Sequence, residues 1–186
     1  GLDIGQALYF YYPRVEGSDM TADAVSMSIP VSQDGDDDMP LASLPYIVTE
    51  ASGTNQTIYA GKVKFANLGS VIEFHVYSET DEYQTEKIQS VTFNADQEIA
   101  GDFEFDLTAV DYSNEETLEI SGYTEKSVVA TLATPVAVPA TRETAKVIKL
   151  VVAPGSYTGN VVVATDKAIY TYPITSAKNL QRSVVM

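Results

Sequence analysis

Alternation of apolar and polar side chains recurs along this sequence and constrains its fold more than any other feature. In residues 71–77, Glu73, His75 and Tyr77 alternate with apolar side chains, and the same period of two recurs in 103–107 and 148–152. A strand that buries one face and exposes the other has this pattern. The three segments predict a core that contains Ile72, Phe74, Val76, Phe103, Phe105, Ile148, Leu150 and Val152.

Turn-forming residues divide the rest of the chain into short segments with the composition of strands. Further strands are predicted at residues 7–12, 24–31, 57–66, 88–94, 117–121, 127–132, 159–165 and 168–174. Residues 154–156 and 165–167 have the composition of hairpin turns. Many short strands at this spacing predict an all-β fold, specifically an antiparallel β-sandwich.

The remaining segments are predicted to be irregular or briefly helical. Residues 32–50 and 133–144 contain prolines and are interpreted as long loops. Residues 80–87 and 176–182 are each assigned a short helical turn. We expect residues 1–186 to form a single domain that belongs to a longer precursor, with a boundary near 108–116 as the alternative.

The net charge of −15 restricts the partners of the chain. A protein this acidic repels the phosphates of nucleic acids, so we exclude nucleic acid as a partner. The sequence contains no apolar run long enough for a transmembrane segment. The first residues also lack the basic and apolar regions of a signal peptide, so we expect that export was not required or that the signal had been removed.

The residues available for catalysis are few. The chain has one histidine, His75, and no cysteine, and His75 lies within a predicted strand on its polar face. The segment from Gly155 to Gly159 places Ser156 one position too early for a nucleophile elbow. Pairs of carboxylates are too common among 26 acidic residues to indicate a glycosidase. We therefore predict no catalytic residues and no enzyme.

Metal and cofactor sites are also not predicted. Asp34, Asp36 and Asp38 have the first spacings of a calcium-binding EF-hand loop, but Met39 replaces the required glycine and Pro45 the required glutamate. A less regular calcium site in this acidic loop stays open. The glycine-rich motifs that bind nucleotide phosphates are absent, so no cofactor is expected.

Tyrosine is abundant, with 12 residues in the chain. Tyr112, Tyr123 and Tyr157 fall in or near predicted loops, where their rings could stack on a sugar or a protein partner. A carbohydrate-binding surface module is therefore the alternative to a purely structural protein.

Several segments, in order along the chain, resemble motifs of the fimbrillin-like family, the subunits of pili on Gram-negative anaerobes. The matching segments are Leu8-Tyr9-Phe10-Tyr11-Tyr12-Pro13, Met27-Ser28-Ile29-Pro30-Val31-Ser32-Gln33, the acidic residues 36–42, residues 63–74, and the pair 88–93 and 99–103. Each motif is degenerate, and their order carries the resemblance.

The resemblance implies a transthyretin-like β-sandwich that is exported as a lipoprotein to the outer membrane and the cell surface. It implies a structural or adhesive role in pili, with other pilus subunits bound by strand exchange and with host or bacterial surface proteins or glycans as further partners. The lipobox cysteine and a long second domain are missing from this sequence, as expected of a part of a precursor. We expect incompletely paired strand edges near both ends, at residues 7–12 and 179–186, because exposed edges pair readily with another chain.

Overall fold

The computed structural model describes residues 7–8, 10–12, 24–35, 40–43, 46–47, 65–106, 120, 122–182 and 184–185. These residues are mostly in β-strands, so the all-β prediction is confirmed. The elements in chain order are β1 (Ala7–Leu8), β2 (Tyr11–Tyr12), β3 (Ala24–Ile29), β4 (Ser32–Gln33), β5 (Leu41–Ser43), β6 (Tyr46–Ile47), β7 (Phe65–Asn67), β8 (Ser70–Val76), α1 (Asp81–Gln84), β9 (Lys87–Ala95), β10 (Gly101–Asp106), β11 (Ser127–Ala137), β12 (Lys146–Val152), β13 (Gly155–Thr165), β14 (Ile169–Leu180) and β15 (Val184–Val185).

The largest described sheet has five strands in the order β14-β13-β9-β11-β4. Its central ladders are antiparallel, whereas β4 pairs with β11 in parallel. The parallel pair departs from the antiparallel prediction because the chain does not turn back on β3 after Pro30. The chain crosses instead to the five-stranded sheet, where Val129 of β11 donates its backbone N–H to the carbonyl of Val31 at 2.9 Å.

The other strands form four smaller sheets. Antiparallel pairs join β8 to β12, β3 to β10 and β1 to β6. A fourth group has the order β15-β7-β5-β2 and is antiparallel throughout.

The predicted core residues all lie in or against one hydrophobic cluster. Phe103, Phe105, Ile148, Leu150 and Val152 are fully buried. The three predicted residues of β8, Ile72, Phe74 and Val76, are half-buried and pack against the same cluster. Period-two alternation therefore identified the inward faces of β8, β10 and β12 correctly.

Gln33 links the five-stranded sheet to β12 through its side chain. The buried amide Nε2 donates to the carbonyl oxygens of Pro30, at 2.9 Å, and Val151, at 2.8 Å. Its Oε1 accepts the backbone N–H of Val151 at 2.8 Å. The side chain thus satisfies both backbone groups of Val151, which would otherwise be buried without partners.

Both segments predicted as long loops contain strands. The described part of 32–50 includes β4, β5 and β6, and β11 continues through Ala137 into the segment 133–144. The pairing of β11 with β9 shifts register between Thr131 and Val136, so this stretch bulges. Pro135 falls within the bulge, where a missing ladder N–H is tolerated.

Two further predictions about the last third of the chain are wrong. Residues 154–156 do not form a hairpin turn, because β12 pairs with β8 whereas β13 pairs with β9 and β14. The chain crosses between sheets there. Residues 176–180 are strand rather than helix, because β14 extends to Leu180 and pairs with the beginning of β13. Tertiary pairing overrides the weak local preference.

Two local predictions are confirmed. Residues 165–168 connect β13 and β14 as a hairpin, with the backbone N–H of Thr165 donating to the carbonyl of Ala168 at 2.9 Å. The helical turn α1 lies within the predicted segment 80–87. The predicted strand 117–121, apart from Ile120, most of the strand 57–66 and the alternative boundary at 108–116 lie outside the described residues.

Candidate functional site

His75 lies on the outward face of β8, as its position in the alternation indicates. Its Nε2 is 3.7 Å from Oε2 of Glu73, and the other carboxylate oxygen of Glu73 lies 3.5 Å from the Nζ of Lys149. These groups form an exposed row of polar side chains across β8 and β12, where ion pairs contribute little to stability. The geometry gives His75 no nucleophile to activate among its described contacts.

The acidic residues that the structure describes do not converge on a metal site. No group of three potential ligands is found in the described part of the chain. Asp34 is exposed, while Asp36, Asp37 and Asp38 lie outside the described residues. Glu79, Asp81 and Glu82, in and just before α1, are exposed.

The tyrosines expected to stack on a partner are not displayed as expected. Tyr157 is buried in β13, and its hydroxyl lies 3.1 Å from the carbonyl oxygen of Ala153 and 3.0 Å from that of Pro154. Burial raises the pKa of Tyr157 to about 12. Tyr123 is half-buried with its ring centroid 5.2 Å from that of Phe103, and burial raises its pKa far above the usual range. Tyr112 lies outside the described residues.

A cleft with a volume of about 530 Å³ opens between β8 and the β13–β14 hairpin. Pockets of this size accommodate small organic ligands. Phe74, Val76, Val138, Val161 and Val163 supply its apolar surface. Its other lining residues are His75, Tyr77, Ser78, Tyr83, Glu86, Thr165, Tyr170 and Tyr172.

Glu86 is the buried polar group of this cleft, with 6% of its surface exposed. One carboxylate oxygen accepts a hydrogen bond from the Thr165 hydroxyl at 2.5 Å, and the other accepts one from the Tyr170 hydroxyl at 2.7 Å. Both lengths lie within the range of O–H···O hydrogen bonds. Each carboxylate oxygen has the lone-pair capacity for a second hydrogen bond.

The backbone around Glu86 holds the carboxylate in place. Its N–H donates to the carbonyl of Tyr83 at 3.0 Å, and its carbonyl accepts the N–H of Val138 at 3.0 Å. The tip of the β13–β14 hairpin is bound to Lys87, the residue after Glu86. The backbone N–H of Lys87 donates to a carboxylate oxygen of Asp166 at 2.8 Å, and the backbone N–H of Asp166 donates to the carbonyl of Lys87 at 3.0 Å. The carboxylate and the tyrosines of β14 therefore belong to one fixed arrangement.

Aromatic rings form the walls of the cleft. Tyr83 and Tyr170 meet edge to face, with ring centroids 5.4 Å apart and an interplanar angle of 87°. The hydrogen bond from Tyr170 to Glu86 raises the pKa of Tyr170 to about 12, so its hydroxyl stays protonated as a donor. Tyr77, Tyr83 and Tyr172 each keep more than a third of their surface exposed.

The sequence reasoning did not identify this cleft. Tyr170 and Tyr172 lie on one face of a predicted strand, so alternation is the sequence signal that places these two side chains together. Glu86 gave no signal, because its partners lie 79 and 84 positions away in the chain. Such a site depends on how two distant segments pack.

Comparison with known proteins gives no relatives: no family model, curated protein or solved structure matches the chain. In the described residues no helix has the length and apolar character needed to cross a membrane.

Proposed function

We propose that this chain is a non-catalytic structural or adhesive subunit of bacterial cell-surface pili, exported to the outer membrane surface. In this proposal its strands form a single transthyretin-like β-sandwich domain, and neighbouring subunits associate by strand exchange. The proposal assigns no catalytic role to His75. The observation that carries it is the long edge strand β14, which pairs only with β13 among the described residues.

The hairpin geometry identifies which backbone groups of β14 face the open side. The bond from the Thr165 N–H to the Ala168 carbonyl makes these opposite residues a hydrogen-bonded pair. Such pairs alternate with non-hydrogen-bonded pairs along an antiparallel ladder. Following the register, the backbone groups of Ile169, Thr171 and Pro173 point away from β13.

Pro173 agrees with this assignment, because proline is tolerated where its missing N–H would face away from the ladder. Ile169 and Thr171 then offer outward N–H groups to an incoming strand. Backbone pairing of this kind supplies affinity, while pockets for alternate side chains select the partner. Strands β2 and β15 are also paired on one side only among the described residues, which agrees with the expected open edges near both ends.

The test adds strand-length peptides that copy terminal segments of the full precursor to the purified protein. Melting temperature, oligomeric state and amide hydrogen exchange of β14 are measured. We expect one peptide to raise the melting temperature and to slow exchange at Ile169 and Thr171. Thr171→Pro removes an outward donor without affecting the β13 ladder, so this variant should lose the response, while Thr171→Ala keeps the donor and should retain it.

Two results together would overturn the proposal. They are the failure of every peptide to raise the melting temperature and a monomeric state of the intact protein after precursor processing. An equal response of the two Thr171 variants would instead exclude β14 as the receiving edge and direct attention to β2 and β15.

We do not propose a carbohydrate-binding site at Tyr123 or Tyr157, two of the tyrosines that suggested this alternative. Tyr157 is buried, and the ring of Tyr123 packs on Phe103. Neither presents an open aromatic face of the kind on which a sugar stacks.

A further inference from the structure

The charges that line the cleft between β8 and the β13–β14 hairpin are unbalanced. Glu86 is its carboxylate, and neither lysine nor arginine is among the lining residues. His75 also lines the cleft, but its Nε2 lies 3.7 Å from Glu73. The ion pairs of the described residues involve Glu73 and Glu98 rather than Glu86. The hydrogen bonds that Glu86 receives come from neutral hydroxyl groups.

A buried carboxylate without a cation is costly, because hydroxyl donors replace only part of the hydration that the charge loses. A positive charge placed beside Glu86 would recover part of this cost. Its two oxygens have the capacity to accept a further hydrogen bond from such a group. A cation that enters the cleft would therefore supply the charge that no described ion pair gives to Glu86.

The tyrosines favour an organic cation over a metal ion. A metal site needs several convergent oxygen ligands, and no group of three potential ligands is found in the described residues. Ammonium groups, in contrast, are attracted to the faces of aromatic rings as well as to carboxylates. Tyr77, Tyr83 and Tyr172 supply exposed rings, and Phe74 and the valines supply apolar surface for the body of the ligand.

We propose that this cleft binds an organic ammonium ion with an apolar or aromatic body. Its charged nitrogen lies beside Glu86 and against the tyrosine rings, and its body contacts Phe74, Val161 and Val163. The same chemistry is offered by a free amine and by the lysine side chain of a partner protein. This site goes beyond the proposed pilus role and does not depend on strand exchange.

The experiment titrates the purified protein with three probes of similar shape and different charge. The probes are 2-phenylethylammonium, the neutral 2-phenylethanol and the anionic phenylacetate, followed by calorimetry and by amide chemical shifts. We expect the ammonium probe to bind at least about tenfold more tightly than the alcohol, since a desolvated carboxylate and aromatic faces act together. The shifts should cluster at residues 74–78, 83–86 and 161–172.

Matched variants separate the contributions of the charge and of the rings. Glu86→Gln should reduce the preference for the ammonium probe over the alcohol to about twofold or less, because it removes the charge and keeps the shape. Tyr172 is 56% exposed and lies outside the hydrophobic core cluster, so Tyr172→Ala should weaken ammonium binding several-fold and change the melting temperature little. Tyr12→Ala removes a tyrosine that is 47% exposed and outside the cleft, and it should leave binding unchanged.

A second pair of probes distinguishes the two sources of the ligand. A short lysine-containing peptide is compared with the same peptide acetylated at the lysine Nζ. Tighter binding of the unmodified peptide than of 2-phenylethylammonium indicates a partner protein, and the reverse order indicates a free amine.

Several results would overturn the proposal. One is equal binding of the alcohol, or of a neutral sugar, and the ammonium probe. Others are a lack of binding into the millimolar range and an equal effect of Tyr12→Ala and Tyr172→Ala. Because Glu86→Gln disturbs a buried group and can lower stability, the Tyr172 and Tyr12 variants decide the result if that protein does not fold.

Discussion

At the scale of single residues, the side chain of Gln33 forms the hydrogen bonds to Val151 that a neighbouring strand would otherwise form. Its amide makes two hydrogen bonds of 2.8 Å that join β4 to Val151 of β12, and a third of 2.9 Å to the carbonyl of Pro30. The resemblance to fimbrillin-like proteins included this glutamine and Pro30, but it offered no physical reason for either. The reason is visible only in the fold, because Val151 lies 118 positions away in the chain.

We predict that Gln33→Ala destabilises the protein by roughly 2–4 kcal/mol, because it leaves buried backbone groups of Val151 unsatisfied. Urea unfolding measures the change in the free energy of unfolding. Gln97→Ala is the matched control, since Gln97 is exposed and makes one bond of 3.3 Å to the carbonyl of Ser156. It should change stability by less than about 0.5 kcal/mol. Equal small losses for both variants would show that the Gln33 bridge is unimportant.

Sequence alone predicted the residues whose environment follows from their own strand. Phe103 and Phe105 alternate with acidic residues and are buried as expected. Glu86 and Tyr157 could not be predicted in this way, since burial of Glu86 depends on Thr165 and Tyr170. Tyr157 adjoins a predicted turn, yet it is covered because the chain crosses between sheets at that point.

At the scale of elements, backbone geometry at two glycines explains local features that strand propensity does not. Gly159 marks the register shift where β13 leaves one part of the β14 ladder and enters the next. Its φ is +144°, and an added Cβ would collide with the backbone oxygen of Asn94 and lie 3.0 Å from the Cα of Ala95. This close approach of β9 to β13 requires the absence of a side chain.

We predict that Gly159→Ala lowers the free energy of unfolding by about 3 kcal/mol or more, since backbone strain and a backbone collision add together. Gly35 provides the comparison, because its φ of +90° is also unfavourable for alanine but the nearest atom to its added Cβ is 3.6 Å away. Gly35→Ala should therefore cost only about 1–2 kcal/mol, the strain alone. The two values come from denaturant unfolding, and a larger loss at Gly35 would contradict this account.

Element types were easier to predict than element ends. The alternation of β8, β10 and β12 identified those strands, whereas β11 and β14 both continue past their predicted ends. Their extensions are polar or rich in small residues and have no alternation of their own. They are strands because β9 and the first residues of β13 offer them ladder partners.

At the scale of the whole molecule, the net charge of −15 is the dominant electrostatic property. The ion pairs of the described residues lie on the surface, with side chains about half exposed, and they offset little of this charge. Mutual repulsion of the acidic side chains therefore opposes the compact state. Salt screens such repulsion over distances of about 10 Å at 0.1 M.

We predict that sodium chloride raises the melting temperature by a few degrees, because relief of roughly 1 kcal/mol of repulsion corresponds to about 2–4 °C for a chain of this length. Differential scanning calorimetry at increasing salt and constant pH measures the change. Calcium and magnesium chlorides at equal ionic strength form the matched comparison and should give equal shifts, since the acidic segment from Asp34 to Asp38 lacks the glycine and glutamate of a calcium loop. A fall with sodium chloride would contradict the repulsion argument, and a larger rise with calcium than with magnesium would establish a calcium site.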